Sequence, residues 1–273
     1  MQTPQVIASD LDGTLLGAEG RLSERTREAL AAAREHGLAV VAVTARTPYG
    51  VERLSELIPL LDAAICANGA VFYDPAGRRT EVRHVIDPAS ARAVCAVLAE
   101  SLPNGALAIE TGEGIVSERR HYEGIVSDLS YWEFVDSAEA MLARVDTVVK
   151  IKIYDPGLHS EEMLRAVEGA DLAALDMCHW GDFGMLDFNP PGVNKATGLA
   201  AWCAERGLGA EDVVAFGDMP NDVPMLAWAG RSYAVEGAHP EAAAAATDTA
   251  AANTADGVAR VVEAILDRSR AAA

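Results

Sequence analysis

Three short runs constrain the fold more than any other part of the chain: "QVIAS" (5–9), "LAVVAVTA" (38–45) and "DVVAFG" (212–217). Each is apolar at successive positions rather than alternate ones, so each must be covered on both faces. Helical patterns stand beside them. "SERTREALAAAREHG" (23–37) has Ser23 as N-cap and Gly37 just past its end, and "TPYGVERLSELIPLL" (47–61) has Thr47 as N-cap and Pro48 at the first helical position. "AAICANGAVFY" (63–73) supplies a third strand or strand pair. Strands buried on both faces with helices between them predict an α/β architecture built on a parallel sheet.

The middle of the chain changes character. "RRTEVRHVI", "GALAIETGEGIVS", "YWEFVDS" and "VVKIKIYD" are mixed strands, and helical patterns fall near 88–101, 137–144 and 159–168. "AALDMCHWGDFGMLDFN" reads as a hairpin around Gly181 to Gly184. This predicts an α+β unit on an antiparallel sheet, bracketed by the linker-like "DPAGR" (74–78) and "NPPG" (189–192). The first pattern then returns with a helix in "NKATGLAAWCAERG", the strand "DVVAFG", a short helix in "NDVPMLAWAG", the strand "RSYAVE" and a closing helix in "DGVARVVEAIL". The Ala-rich "EAAAAATDTAAANTA" favours helix. The expected division is a core of residues 1–80 and 188–273 with residues 81–187 inserted as a second unit.

The polar residues fall where the apolar strands end. One strand ends at Asp10, the next at Thr44 and Arg46, and the late one at Asp218, with Asn221 and Asp222 close behind. Parallel α/β sheets bind ligands beyond the carboxyl ends of their strands, so these groups converge on one crevice. Lys195 stands near the start of the helix that precedes the late strand. Carboxylates without competing nitrogen or sulfur ligands suit a hard cation, Mg²⁺ before Zn²⁺. A threonine hydroxyl, helix-start N–H groups and a lysine suit a phosphate. A carboxylate can itself attack phosphorus. Asp10 and Asp12, two residues apart in an extended segment, face one side and can divide nucleophilic and proton-transfer work. Gly13 lets the chain turn, and Thr14 is placed to hold the carboxylates. Plainer readings stand beside these: Lys195 and Arg46 as solvated charges, Asn221 and Asp222 as helix caps. His179, Trp180, Tyr131 and Trp132 either pack the inserted unit or read a leaving group.

"DLDGTLL", "TAR", "NKATGLA" and "GDMPND" occur in the order and rough spacing of the haloacid dehalogenase superfamily, which the chain resembles at both ends. The long insertion after the second motif, and the run from "LDFNPPGVNK" onward, resemble the Cof-type sugar-phosphatase branch. The resemblance implies a Rossmann-like core with an α/β cap that sets specificity, and a Mg²⁺-dependent phosphatase acting on small phosphorylated metabolites such as sugar phosphates. Asp10 then matches the nucleophile and a metal ligand, and Asp12 the acid/base with its carbonyl on the metal. Thr44, Ala45 and Arg46 match the phosphate-binding segment, Lys195 the neutralising lysine, and Asp218 the metal-binding acid. Asn221 matches a phosphate-side group, with Thr14 and Asp222 behind the ligands. Ala45 and Ala196 stand where glycine is common. A phosphomutase or phosphotransferase on the same fold is the alternative, followed by a non-catalytic ligand-binding module.

Charge and cysteine usage exclude other classes. With 22 Lys and Arg against 41 Asp and Glu, the net charge of -19 opposes nonspecific binding to nucleic acid or to an anionic membrane. Cys66, Cys95, Cys178 and Cys203 form no C-x-x-C pair and read as small buried hydrophobes. The N-terminal stretch lacks a basic, then apolar, leader pattern, so a cytoplasmic protein is expected. The sequence does not specify an oligomeric state.

Overall fold

The computed structural model describes residues 4–120, 130–181 and 183–272. The chain opens with β1 (Val6–Ser9), α1 (Glu24–Glu35), β2 (Ala39–Val43), α2 (Pro48–Glu52), β3 (Ala63–Cys66), β4 (Val71–Asp74) and β5 (Arg79–Val82). It continues through α3 (Pro88–Ser101), β6 (Ala106–Glu110), β7 (Ile115–Glu118), β8 (Trp132–Val135), α4 (Ala138–Leu142), β9 (Lys150–Tyr154), α5 (Ser160–Ala166), β10 (Asp176–His179) and β11 (Met185–Asn189). It closes with α6 (Lys195–Ala204), β12 (Val213–Gly217), α7 (Val223–Trp228), β13 (Arg231–Val235), α8 (Pro240–Ala245), β14 (Asp248–Ala250) and α9 (Gly257–Ala272).

Two sheets result. The larger has the order β14-β13-β12-β1-β2-β3-β4-β5, parallel from β14 to β3 and antiparallel at β4 and β5. This is the expected Rossmann-like core. Its two faces bury separate clusters: Ile7, Val214 and Phe216 point to one side, and Val6, Ala8, Val213 and Ala215 to the other. The smaller sheet has the order β10-β11-β9-β6-β7-β8 and is antiparallel except where β8 joins β7 in parallel. Its helix-covered face buries Leu107, Ile109, Ile151, Ile153, Leu186 and Phe188. The opposite face carries Glu110, Lys150, Lys152 and Asp187, in register across β6, β9 and β11.

Several local expectations change. The helix expected over 47–61 is capped by Thr47 as anticipated but ends at Glu52. Pro59 offers no N–H, and its ring would meet the Ser55 carbonyl of a continuous helix, so the stretch from Ser55 to Leu61 cannot complete the expected one. The chain instead makes a 3-10 turn over Ile58–Leu60. The Ala-rich stretch is helical only to Ala245. Thr247 and Ser232 then exchange backbone-to-hydroxyl hydrogen bonds of 2.9 and 3.1 Å, which draw the chain out as the edge strand β14. "DPAGR" closes the β4–β5 hairpin, with Asp74 Oδ1 accepting from the N–H groups of Ala76 and Gly77. β5 therefore spans the position of the expected first boundary and belongs to the larger sheet, while β11 spans the second and belongs to the smaller. In the β10–β11 hairpin, Asp182 of the expected turn lies outside the described residues. No described helix is long and apolar enough to cross a membrane.

Candidate active site

β1, β2 and β12 are parallel neighbours, so the residues that follow them meet at one edge of the sheet. Asp10 continues β1, and its N–H still donates to the Phe216 carbonyl of β12 at 2.9 Å. Its carboxylate is almost wholly buried. Gly13 then turns the chain with φ +85°, and a Cβ there would lie 2.4 Å from Asp218 Oδ2. Only glycine lets this turn approach the end of β12 so closely. Thr14 Oγ1 donates to Asp218 Oδ1 at 2.6 Å and ties the two segments together.

Lys195 reaches the site because its helix start is pressed against the turn after β3. Asn194 caps α6, its side chain accepting from the N–H groups of Ala196 and Thr197 at 3.0 Å. A Cβ on Gly69, whose φ is +113°, would lie 2.4 Å from the Asn194 carbonyl oxygen. The "ANG" turn thus leaves room for the first turn of α6. From there the Lys195 ammonium donates to Asp10 Oδ1 and to Asp222 Oδ1, each at 2.6 Å. The other Asp222 oxygen accepts from the N–H groups of Asp218 and Met219. Asp222 therefore folds the loop after β12 around the lysine.

Asp10, Asp218 and Asp222 each offer an oxygen within 4.8 Å of the others. Burial pushes the Asp10 carboxyl well up; Lys195 opposes this, and the neighbouring Asp222, Asp218 and Asp12 charges add to it. Burial likewise pushes Asp218 up to about 6, against the hydrogen bond from Thr14. Burial alone would lower the Lys195 ammonium, but Asp10 and Asp222 overcome it and hold it above its ordinary value. Three crowded carboxylates against one ammonium, with oxygen donors only, fit a hard divalent cation. The Asp12 carboxylate turns away from this cluster and pairs with Arg46, whose Nε and Nη2 lie 2.7 and 2.5 Å from its two oxygens.

A cavity of about 450 Å³ opens above these groups. Asp10, Asp12, Thr44, Ala45, Arg46 and Asn221 form its floor, and Lys195 is bonded to Asp10 and Asp222, and Thr14 to Asp218. The smaller sheet supplies the opposite wall, including Glu110, Lys152, Trp132, His179 and Trp180, with Tyr131 beside them. Tyr131 stacks near Tyr49 at a centroid distance of 4.5 Å. Trp180 lies 5.5 Å from the Lys152 ammonium. His179 faces Glu241 at 3.8 Å.

Residues the sequence reading did not single out also meet here. Asn68, buried and with φ 55°, donates to Asp187 Oδ2 and accepts from Asn221 Nδ2, both at 3.2 Å. Glu110 Oε1 lies 2.7 Å from Lys152 and 3.1 Å from Lys150. Their available signals were weak: an Asn-Gly pair inside a strand-rich stretch, and lysines alternating with isoleucine in "KIKIY".

The chain is similar to known proteins along nearly its whole length. The chain is 29% identical to the pyridoxal phosphate phosphatase YbhA of Escherichia coli over 95% of its own length and 98% of the relative's. It is 26% identical to the 5-amino-6-(5-phospho-D-ribitylamino)uracil phosphatase YitU of Bacillus subtilis, covering 95% of this chain and 97% of that one. It shares its fold with the solved structure of the HAD subclass IIB sugar phosphatase BT4131, at a TM-score of 0.82 and 24% identity over 95% of this chain and 98% of that one. Residues 7–262 match the model of the haloacid dehalogenase-like hydrolases, and the chain belongs to that family.

Proposed function

We propose that the protein is a Mg²⁺-dependent phosphatase of small phosphorylated metabolites, sugar phosphates foremost, working through an aspartyl phosphate. The observation that carries this reading is the grip of Lys195 on Asp10. The ammonium engages Oδ1 of a buried carboxylate that faces the cavity, beside the Thr44 hydroxyl at the end of the adjacent strand. Small phosphorylated molecules are also what the names of the two phosphatase relatives imply for those proteins.

Asp10 attacks phosphorus in line, and the bond from phosphorus to the leaving oxygen breaks. Asp12 gives that oxygen its proton. Water then attacks the aspartyl phosphate, Asp12 takes the water proton, and the bond between phosphorus and the Asp10 oxygen breaks to release inorganic phosphate. Thr44, the backbone at Ala45 and Arg46, and Asn221 bind the phosphoryl oxygens. Lys195 favours the ionised form of Asp10 against burial and orients it. Arg46 holds Asp12 by a bidentate pair until a phosphate competes for its guanidinium. Asp10, Asp218 and the carbonyl of Asp12 would hold the metal, with Thr14 and Asp222 fixing their surroundings. When bound, the cation neutralises carboxylate and phosphate charge so that an anionic nucleophile can approach phosphorus. The inserted unit built on the smaller sheet, from β6 to β11 with its helices, acts as the cap that excludes bulk water and reads the leaving group.

A screen of phosphorylated metabolites for Mg²⁺-dependent phosphate release tests the reading. Release is expected from wild type and is expected to vanish in Asp10→Asn. Unchanged release in that variant would remove the mechanism.

A further inference from the structure

The face of the smaller sheet that closes the cavity carries a lysine with no part in the reaction above. Lys150 in β9 is fully buried. Its ammonium lies 3.1 Å from Glu110 and 3.4 Å from Asp187, on the strands either side. It also donates to the carbonyl oxygen of Ala45 at 2.8 Å. Ala45 follows Thr44 at the end of β2, so this bond crosses from one sheet to the other. An ammonium buried this completely must be fully partnered, and one partner is the backbone of the phosphate-binding segment.

That carbonyl shares a peptide group with the N–H of Arg46, which donates to Thr44 Oγ1 at 3.1 Å. Lys150 therefore holds one end of the peptide, and the Thr44 oxygen the other. A cation on a carbonyl polarises the peptide and strengthens its N–H as a donor. Because Thr44 Oγ1 accepts from Arg46, its own proton is directed elsewhere, and Thr44 lines the cavity. A second arm leaves the same lysine. Asp187 accepts from Asn68, and Asn68 accepts from Asn221, which also lines the cavity. Asn68 holds this place with a positive φ of 55°, which a side-chain-bearing residue adopts at some cost.

We propose that Lys150 is a positioning residue that aims Thr44 and Asn221, through the Ala45–Arg46 peptide and the Asp187–Asn68 pair, at a phosphoryl group. The phosphate cup is then complete only with the smaller sheet seated over it. The inference rests on the phosphatase reading for the identity of the ligand.

The test uses Lys150→Met combined with Asp187→Asn, which leaves Glu110 paired with Lys152 and strands no buried carboxylate. Binding of inorganic phosphate by calorimetry is the main readout, with circular dichroism and urea unfolding to verify the fold. A loss of about tenfold in phosphate affinity is expected, the low end of what one hydrogen bond to a charged group contributes. kcat/KM should fall by a similar factor with every phosphomonoester hydrolysed, because they share the phosphoryl group. Thr44→Val alone should cost a factor no larger than the double variant does, and adding it to the double variant should cost little more, because the Thr44 hydroxyl is one of the two groups the double variant already misplaces. Asn68→Gly keeps the positive φ and removes the amide; it should weaken phosphate binding in the same way, and decides the matter if the double variant does not fold. Wild-type phosphate affinity in these folded variants, or a full additional loss from Thr44→Val, overturns the proposal. If wild type binds phosphate but hydrolyses no phosphomonoester, the phosphatase reading falls and the binding comparison still decides the role of Lys150. If wild type binds no phosphate, the positioning role falls as well.

Discussion

Lys195→Met keeps most of the side-chain volume and deletes the charge. The ammonium is 1% exposed and contacts Asp10 and Asp222 at 2.6 Å each. The helix that carries it remains capped by Asn194, so the perturbation is mainly electrostatic. Removing one partner of a buried ion pair costs about 3–5 kcal/mol, because the other charge is left in a poor solvent. Asp222 retains the N–H donors of Asp218 and Met219, so most of the loss falls on Asp10. Asp10 has an escape. Burial already pushes its carboxyl up, and without Lys195 it rises further, so uptake of a proton becomes easier and relieves part of the cost. The loss then settles near the lower end, about 3 kcal/mol at pH 7, or on the order of 10 °C in Tm for a chain of this size.

The sign of the pH dependence follows. A carboxyl raised in the folded state costs nothing below its unfolded value near 3.8, where both states are protonated. The cost grows as pH rises from that value toward the folded one, where only the unfolded chain has given up the proton, and it levels off above the folded value. The deficit of Lys195→Met relative to wild type should therefore be larger at pH 8 than at pH 5. Adding Asp10→Asn should restore most of the stability, since the amide carries no charge, while phosphate release stays absent. Thermal and urea unfolding of the metal-free proteins across this pH range measures both effects. A Met variant as stable as wild type at pH 8, or a double variant with no recovery, would show that Lys195 does not neutralise Asp10.

Three further outcomes are expected. Gly13→Ala places a methyl group 2.4 Å from Asp218 Oδ2 at a φ of +85°, so it should weaken Mg²⁺ binding at least tenfold by calorimetry, about 1.4 kcal/mol, while the far-UV spectrum is retained. Mg²⁺ at a hundred times its Kd should stabilise wild type by about 2.7 kcal/mol, chelation should abolish phosphate release, and Asp218→Asn should lose most of the thermal response to the metal. Arg46→Ala removes the bidentate partner of Asp12 and the cation proposed to bind phosphate. It should raise KM about tenfold in initial-rate assays and reduce the dependence of KM on ionic strength.

The parts of the fold legible in the sequence are those where one backbone segment carries both structure and chemistry. "VIASD" is a buried strand and delivers Asp10 in the same five residues; "VVAVTAR" and "VVAFGD" behave alike. The Asn194 cap and Lys195 are neighbours, so the helix start and its cation are read together. Residues whose meaning depends on distant partners were not legible. The lysines of "KIKIY" alternate with isoleucine, a pattern that ordinarily places charge in water and isoleucine in a core. The isoleucines do face the helices, but the lysine face meets the other sheet. Lys150 finds Ala45 across 105 residues of chain, and Asn68 finds Asp187 across 119. Nothing local encodes either contact. The shortened α2 and the strand β14 were missed for a different reason: propensity favoured helix, and Pro59 and the Ser232–Thr247 exchange overrode it.

Charge balance separates the two buried ionic clusters by role. In the cluster below the cavity, the three carboxylates of Asp10, Asp218 and Asp222 face the single ammonium of Lys195. That leaves an excess of two negative charges when all three are ionised; burial pushes Asp10 and Asp218 up, and the neighbouring carboxylates add to it. Such a site becomes stable by taking up protons or by taking up a cation, and the nucleophilic role proposed for Asp10 requires the cation, which leaves it ionised. In the wall cluster, Glu110 and Asp187 face Lys150 and Lys152, two charges of each sign. It needs no ligand to balance it. A balanced, buried cluster that spends a hydrogen bond on the Ala45 carbonyl is built to hold geometry, whereas an unbalanced one is built to bind. The two lie on opposite sides of one cavity, so a phosphorylated substrate would meet unsatisfied charge on the floor and fixed donors around it.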